Sequence, residues 1–295
     1  MTASVAGAPL SVWWAGARPK TLPASVSPVL VGTAVAAADG GLVEWRALAA
    51  MVVALALQVG VNFANDYSDG QRGTDANRRG PMRLTASGAV PAETVKRAAL
   101  AAFAAAAVVG LAVALATDLK LLIVGAACIA AGALYTGGPK PYGYMGLGEV
   151  AVMVFFGFVA TVGSTWVHSE RIDGVAVAAA VPVGLLACAL LVVNNLRDID
   201  GDREAGKVTL AVRLGPVHTR TLYRACVVGA FAAVLLLAAA RPPAALALLA
   251  APLAVPPLRV VARRRDTPGL IAALVGTARL QLVTCLALAA GLWVS

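Results

Sequence analysis

Carboxylates are scarce in this chain. Asp and Glu supply 15 of 295 residues, and all charged residues together make up 13%. Soluble domains carry about 25% charge, so a water-facing globular fold is excluded. A mean hydropathy of +0.81 and 60% hydrophobic residues point instead to a polytopic membrane protein. Histidine is nearly absent, with two copies. The four cysteines (Cys128, Cys188, Cys226, Cys285) each fall inside an apolar segment without metal-like spacing, which excludes a disulfide framework and a zinc site. No cleavage site follows a short apolar core near the N-terminus, so no signal peptide is expected. A formal charge of +9 in so apolar a chain marks cytoplasmic loops and attraction to anionic headgroups. Nucleic acid is not an expected partner.

What is present is a series of apolar windows of membrane-spanning length. Nine are read, over about 22–38, 46–65, 97–117, 119–136, 147–167, 174–194, 219–240, 243–261 and 270–294. The expected fold is all-α: one integral-membrane domain over 1–295, a bundle of nine transmembrane helices. With the N-terminus inside, 19 of the Lys and Arg residues fall on the cytoplasmic side and four (Arg46, Lys120, Arg171, Arg241) on the other. Positive loops stay cytoplasmic, which sets the orientation in the cell membrane.

The few acids are not scattered. Five of them sit in Asn65-Asp66-Tyr67-Ser68-Asp69 and Asp198-Ile199-Asp200-Gly201-Asp202, each at the end of an apolar segment. The two longest expected loops, about 66–96 and 195–218, follow the second and sixth segments and carry these clusters, forming a cytoplasmic cap. Asn62-Phe63-Ala64-Asn65-Asp66 and Asn194-Asn195-Leu196-Arg197-Asp198 read as equivalent points in two halves of a repeat, about 18–140 and 147–260. Asp66 and Asp69, three apart, and Asp198 and Asp202, four apart, would each share one helix face.

Carboxylates at a membrane rim need a counter-charge, and an all-oxygen donor set favours Mg²⁺. Basic residues stand alongside: Arg72, Arg78, Arg79 and Arg83 by the first cluster, Arg197, Arg203 and Lys207 by the second, with Lys140 between. Carboxylate, metal and basic side chains together make a diphosphate clamp, and an apolar cavity above it suits an isoprenoid tail. The reading is ionisation of a lipid diphosphate. Tyr135, Tyr142 and Tyr144 offer an aromatic face to an allylic cation. Lys20 is a candidate for an acceptor carboxylate, and Asn62, Asn65 and Asn195 are candidates to ligate metal or orient carboxylates. His168 is expected at the outer surface. Arg279, inside the last segment, needs a partner, for which the diphosphate is one candidate.

At these residues the chain resembles the UbiA-type intramembrane prenyltransferases, whose motifs are Asn-Asp-x-x-Asp and Asp-x-x-x-Asp. Ala17-Arg18-Pro19-Lys20-Thr21-Leu22-Pro23, Arg79-Gly80-Pro81-Met82-Arg83-Leu84-Thr85 and Leu134-Tyr135-Thr136-Gly137-Gly138-Pro139-Lys140-Pro141-Tyr142 fit one branch, the 1,4-dihydroxy-2-naphthoate polyprenyltransferases of menaquinone biosynthesis. The resemblance implies nine helices under a cytoplasmic cap and Mg²⁺ held by Asp66, Asp69, Asp198 and Asp202. It further implies polyprenyl diphosphate and 1,4-dihydroxy-2-naphthoate as substrates, joined with loss of CO₂ to give demethylmenaquinone. One departure stands out. The wider family often has a third Asp four residues past the first pair; Gly73 occupies that place, with Asp75 two further on. Other acceptors within the family remain open. So do two other classes, a CDP-alcohol phosphotransferase, whose acids would pack into one contiguous helix pair, and a cation-coupled transporter, whose acids would lie mid-membrane.

Overall fold

The computed structural model describes residues 8–74 and 82–295. Among these, every regular element is a helix. A short helix α1 (Leu10–Ala17) meets α2 (Pro23–Ala38) at a 55° bend, where Arg18 takes a left-handed conformation. There follow α3 (Glu44–Gln71), α4 (Ala92–Ala116), α5 (Lys120–Leu134), α6 (Gly148–Ser169), α7 (Gly174–Glu204), α8 (Leu210–Ala240), α9 (Pro242–Arg263) and α10 (Thr267–Trp293). Each of the nine expected segments coincides with one helix from α2 to α10. Seven are long and apolar enough to cross a membrane, and the bent α1–α2 pair makes an eighth; α5, at 15 residues, is shorter.

Two boundaries depart from expectation in a way that matters. Both acidic clusters lie on helix, not in loops. Helix α3 continues to Gln71 and α7 to Glu204, while α8 already begins at Leu210. The expected loop over 195–218 shrinks to residues 205–209. A polar sequence ended the apolar windows, but a helix can extend past the hydrocarbon with one face on a cavity and the other in water. The stops come at Gly73 (φ 74°) and Gly206 (φ 71°), where the left-handed turn that ends a helix falls to glycine.

Helix starts are capped where the chain re-enters. Asp173 accepts from the amides of Val175 and Ala176 at 2.7 and 3.0 Å before α7, and Asp266 accepts from Gly269 N–H at 3.0 Å before α10. Such caps contribute about 1 kcal/mol each. Helix α7 forms the centre of the bundle, packed on α2, α6, α8 and α10. In lipid, helices gain nothing from leaving water, so close fit and hydrogen bonds hold them. A Cβ on Gly157 of α6 would stand 2.9 Å from Gly184 Cα of α7, and one on Gly32 of α2 would stand 2.2 Å from Thr161 O of α6. These crossings admit only glycine. Beside the second, Thr165 Oγ1 donates to Gly32 O at 2.8 Å.

The end away from the acidic clusters is tied by Arg46. Its guanidinium donates to Val167 O at 3.0 Å and to Ala116 O at 2.8 Å, and reaches Glu170 at 3.6 Å, joining the start of α3 to the ends of α4 and α6. His168 is buried there, not at the surface, because its Nδ1 accepts from Val43 N–H at 3.2 Å. Arg46→Ala removes the donor from both carbonyls and should lower stability by about 1–3 kcal/mol. A thermal melt in detergent no lower than the wild type would show that the tie holds nothing.

Candidate active site

A cavity of about 700 Å³ runs through the half of the bundle built from α1 to α7. Its α3 wall is a stripe at helical spacing, Asp69, Asn65, Asn62, Gln58, Ala54 and Ala50. The α7 wall repeats the pattern with Asp202, Asp198, Asn195, Leu191 and Ala187. Both walls therefore grade from carboxylate through amide to hydrocarbon. The cavity has a charged end and an apolar end, the shape of a site for an amphiphile.

At the charged end the two clusters converge. Lys207 Nζ, from the short turn after α7, stands 3.6 Å from Asp69 Oδ2 and 3.9 Å from Asp202 Oδ1. Carboxylates 133 positions apart in sequence thus face one ammonium. Tyr144 closes the group: its hydroxyl donates to Asp69 Oδ1 at 2.7 Å and lies 3.0 Å from Thr74 Oγ1, and its ring lies 5.1 Å from Lys207 Nζ. Arg197 forks onto both oxygens of Asp198 at 2.7 Å and reaches Asn194 Oδ1 at 2.9 Å. Asp200 points away and pairs with Arg203.

Asp66 behaves differently from the expectation for it. It is fully buried, does not line the cavity, and accepts from the amides of Leu84 and Thr85, one per carboxylate oxygen, both at 2.8 Å. Its physical role is to pin residues 84–85 onto α3, which brings the neighbouring Arg83, 7% exposed, into the cavity wall. The expected pair on one face divides: Asp69 turns to the cavity and Asp66 to the loop.

The remaining candidates also sort themselves. Arg83, Arg197, Lys207, Lys20, Asn62, Asn65, Tyr135, Tyr142 and Asn195 all line the cavity. Arg72 and Lys140 do not; both are exposed, and Arg72 donates to Gly138 O and lies over the Tyr144 ring, bracing the turn after α5 from outside. Arg279 is exposed on α10 and outside the cavity, which removes the diphosphate as its partner. Asp75, Arg78 and Arg79 lie outside the described residues. Asn62 is committed to packing: its Nδ2 donates to Ala17 O at 2.9 Å, and Asn65 Oδ1 accepts from Thr136 at 2.7 Å. Tyr135 and Tyr142 meet edge to face at 5.4 Å. Burial pushes the Tyr142 hydroxyl up to about 12. Tyr142 is therefore a neutral donor near pH 7 and not a base.

Glu149 was not expected. It is buried on α6, and its Oε1 accepts from Asn195 Nδ2 at 3.1 Å, fixing that amide at the cavity wall. The signal was in the sequence, because Glu149 is the sole carboxylate within any of the nine expected segments, where acids are costly and functional.

The charged end suits a hard divalent cation in one particular way. Among the described residues, no three His, Cys, Asp or Glu side chains form a closed cage. The acids stand on two walls, and the space between Asp69 and Asp202 already accommodates a positive ammonium. Mg²⁺ takes one or two carboxylates and completes its shell with water and substrate phosphate, which this open oxygen set allows.

Residues 25–280 match the UbiA prenyltransferase family. The chain belongs to that family. It is 48% identical over 280 residues to the 1,4-dihydroxy-2-naphthoate octaprenyltransferase of Mycobacterium leprae, covering 95% of each chain. It is 37% identical to the Escherichia coli protein of the same name, over 96% of this chain and 95% of that one. Among solved structures, the UbiA homologue of Aeropyrum pernix superposes with a TM-score of 0.66 at 18% identity, covering 93% and 97% of the two chains. The Archaeoglobus fulgidus homologue bound to GPP and Mg²⁺ gives 0.60 at 14% identity over 77% of each. These two likenesses confirm the UbiA fold. With its apolar helices, family membership makes this a multi-pass membrane protein.

Proposed function

We propose that this UbiA-family chain transfers a polyprenyl group from polyprenyl diphosphate to 1,4-dihydroxy-2-naphthoate, with Mg²⁺ and loss of CO₂, giving the quinol form of demethylmenaquinone. The observation that carries the reading is the polarity gradient of one cavity, acids and Lys207 at one end and hydrocarbon at the other. The relatives named for this reaction, similar along nearly the whole chain, supply the acceptor.

In this reading Asp69, Asp198 and Asp202 hold Mg²⁺, with Asn65 as a further oxygen donor, and the bound metal supplies positive charge to the departing diphosphate. Lys207 and Arg83 hold the same diphosphate from the cavity wall. Asp66 takes part through the loop it pins. The C–O bond breaks with its electron pair leaving on the diphosphate, and the allylic carbon is left cationic. The apolar walls exclude water from it, and the Tyr135 and Tyr142 rings face the charge. The electron-rich naphthoate ring attacks that carbon, and the carboxylate departs as CO₂, its C–C bond pair returning to the ring to restore aromaticity. Lys20, at the bend between α1 and α2 and lining the cavity, pairs with the acceptor carboxylate. In this reading the helices cross the membrane nine times, and the 19-to-4 division of basic residues supports a cytoplasmic charged end. The two halves, about 18–140 and 147–260, are equivalent units that each contribute one acidic wall.

Purified protein in lipid nanodiscs, given polyprenyl diphosphate, Mg²⁺ and a panel of aromatic acids, should form the quinol from the dihydroxynaphthoate, read as demethylmenaquinone after oxidation in air. EDTA should abolish the product and added Mg²⁺ restore it. Turnover that continues in EDTA, or preference for another acid, would overturn the assignment.

A further inference from the structure

Of the three tyrosines in the turn between α5 and α6, Tyr144 does not line the cavity. Its ring therefore cannot face an allylic cation there, and its position calls for another reason. The short 3₁₀ turn Tyr142–Met145 that carries it is fastened to the end of α5, where Gly143 N–H donates to Tyr135 O at 2.9 Å. Its ring meets two cations, Lys207 Nζ at 5.1 Å and Arg72 Cζ at 5.5 Å. Turn and ring together leave the phenol little freedom to move.

The hydroxyl supplies the reason. It lies 2.7 Å from Asp69 Oδ1 and 3.0 Å from Thr74 Oγ1. An ionised carboxylate has no hydrogen to give, so the single phenolic hydrogen goes to Oδ1. Asp69 thus divides its two oxygens: Oδ1 is bonded to a group behind the cavity wall, while Oδ2 faces Lys207 at 3.6 Å. Bringing both oxygens onto one cation would turn the carboxylate and break the 2.7 Å bond. The opposite wall is restrained in its own way, because Arg197 forks onto both oxygens of Asp198 at 2.7 Å.

The two common hard cations differ in what they ask of such a site. Mg²⁺ keeps a small octahedral shell and takes much of it from water and phosphate, whereas Ca²⁺ gathers about six to eight oxygens and readily clasps a carboxylate by both. We propose that Tyr144 reserves one oxygen of Asp69 and thereby sets the preference of the charged end for Mg²⁺ over Ca²⁺. This rests on the Mg²⁺ reading above. Tyr144 is a positioning residue, acting through Asp69 and not on substrate. A cation using one oxygen leaves the phenol's bond intact, and one drawing on both must break it.

The test is metal binding, measured in nanodiscs with an unreactive prenyl thiolodiphosphate present. Bound Mn²⁺ is read by electron paramagnetic resonance and displaced with Mg²⁺ or with Ca²⁺, which gives the ratio of their affinities. Wild-type protein should favour Mg²⁺. Tyr144→Phe keeps the ring and removes only the hydroxyl; the Mg²⁺-to-Ca²⁺ ratio should then fall about 10-fold, or ~1.4 kcal/mol, close to the lower value for a hydrogen bond to a charged group. The fall should come from tighter Ca²⁺ with Mg²⁺ little changed, a split that simple loosening of the turn does not produce. Thr74→Val removes the hydroxyl beside the phenol without touching the Asp69 carboxylate, and should keep the wild-type ratio. An unchanged ratio in Tyr144→Phe, equal weakening of both cations, or the same fall in Thr74→Val overturns the role of Tyr144. Wild-type protein that binds Ca²⁺ as tightly as Mg²⁺ overturns it too, whether or not the variants fold. Wild-type protein that binds no Mn²⁺ at all refutes the Mg²⁺ reading itself.

Discussion

Asp69→Asn and Asp202→Asn should each lower kcat by about 10²–10³-fold, the usual consequence of removing one group aimed at charge developing in a transition state. The two residues are paired here because both face Lys207, at 3.6 and 3.9 Å, from opposite walls of the cavity. Removing either charge does two things. It replaces an anionic carboxylate ligand of the metal by a neutral amide, and it unbalances Lys207, whose ammonium was held between two acids and now leans on one. A loss in kcat with Mn²⁺ affinity reduced in parallel, read by electron paramagnetic resonance, is the expected pattern. Asp200→Asn is the internal control, since Asp200 lies on the same helix but points to solvent and pairs with Arg203; it should turn over at the wild-type rate. Should Asp200→Asn lose as much as Asp202→Asn, general loss of negative charge at this end, and not ligation, would be the cause.

Hydropathy located the helices α2 to α10, seven of them of membrane-crossing length by themselves, because a segment of about 20 apolar residues has few alternatives in a membrane. It misplaced their charged ends. The windows stop where Asn and Asp begin, yet the backbone of α3 runs six residues beyond the expected limit and that of α7 ten. Helix propensity is no bar to this, since Arg and Glu are good helix formers and the outward face meets water. The convergence of the two clusters was legible from scarcity: acids this few, gathered at two segment ends, have a common purpose. Lys207 was legible as a diphosphate ligand but not as the bridge between clusters, because that depends on where a five-residue turn places its side chain. Glu149 was legible and overlooked. Arg72 and Lys140 were drawn in by sequence proximity, and both are exposed and outside the cavity lining.

The division between Asp66 and Asp69 yields the second large effect. In sequence the two are one motif, and three residues on a helix leave them about 60° apart, close enough to share a ligand. The segment containing Leu84 and Thr85 decides otherwise by laying its amides on Asp66. Asp66→Ala leaves both amides without acceptors in a buried place, at about 1–3 kcal/mol each, and frees the loop that carries Arg83 into the cavity. Turnover should fall by about 10²-fold, as when a binding group is misplaced by an ångström, with KM for the diphosphate donor rising. Mn²⁺ affinity should stay near the wild-type value, and protease sensitivity after residue 82 should rise. Asp66→Asn, which keeps one acceptor oxygen and turns an amide group against the other N–H, should fall between the two. Asp69→Ala gives the opposite signature, with metal affinity lost and the loop as protected as before. If Asp66→Ala instead lost Mn²⁺ binding while the loop stayed protected, Asp66 would be a ligand after all and its two backbone contacts incidental.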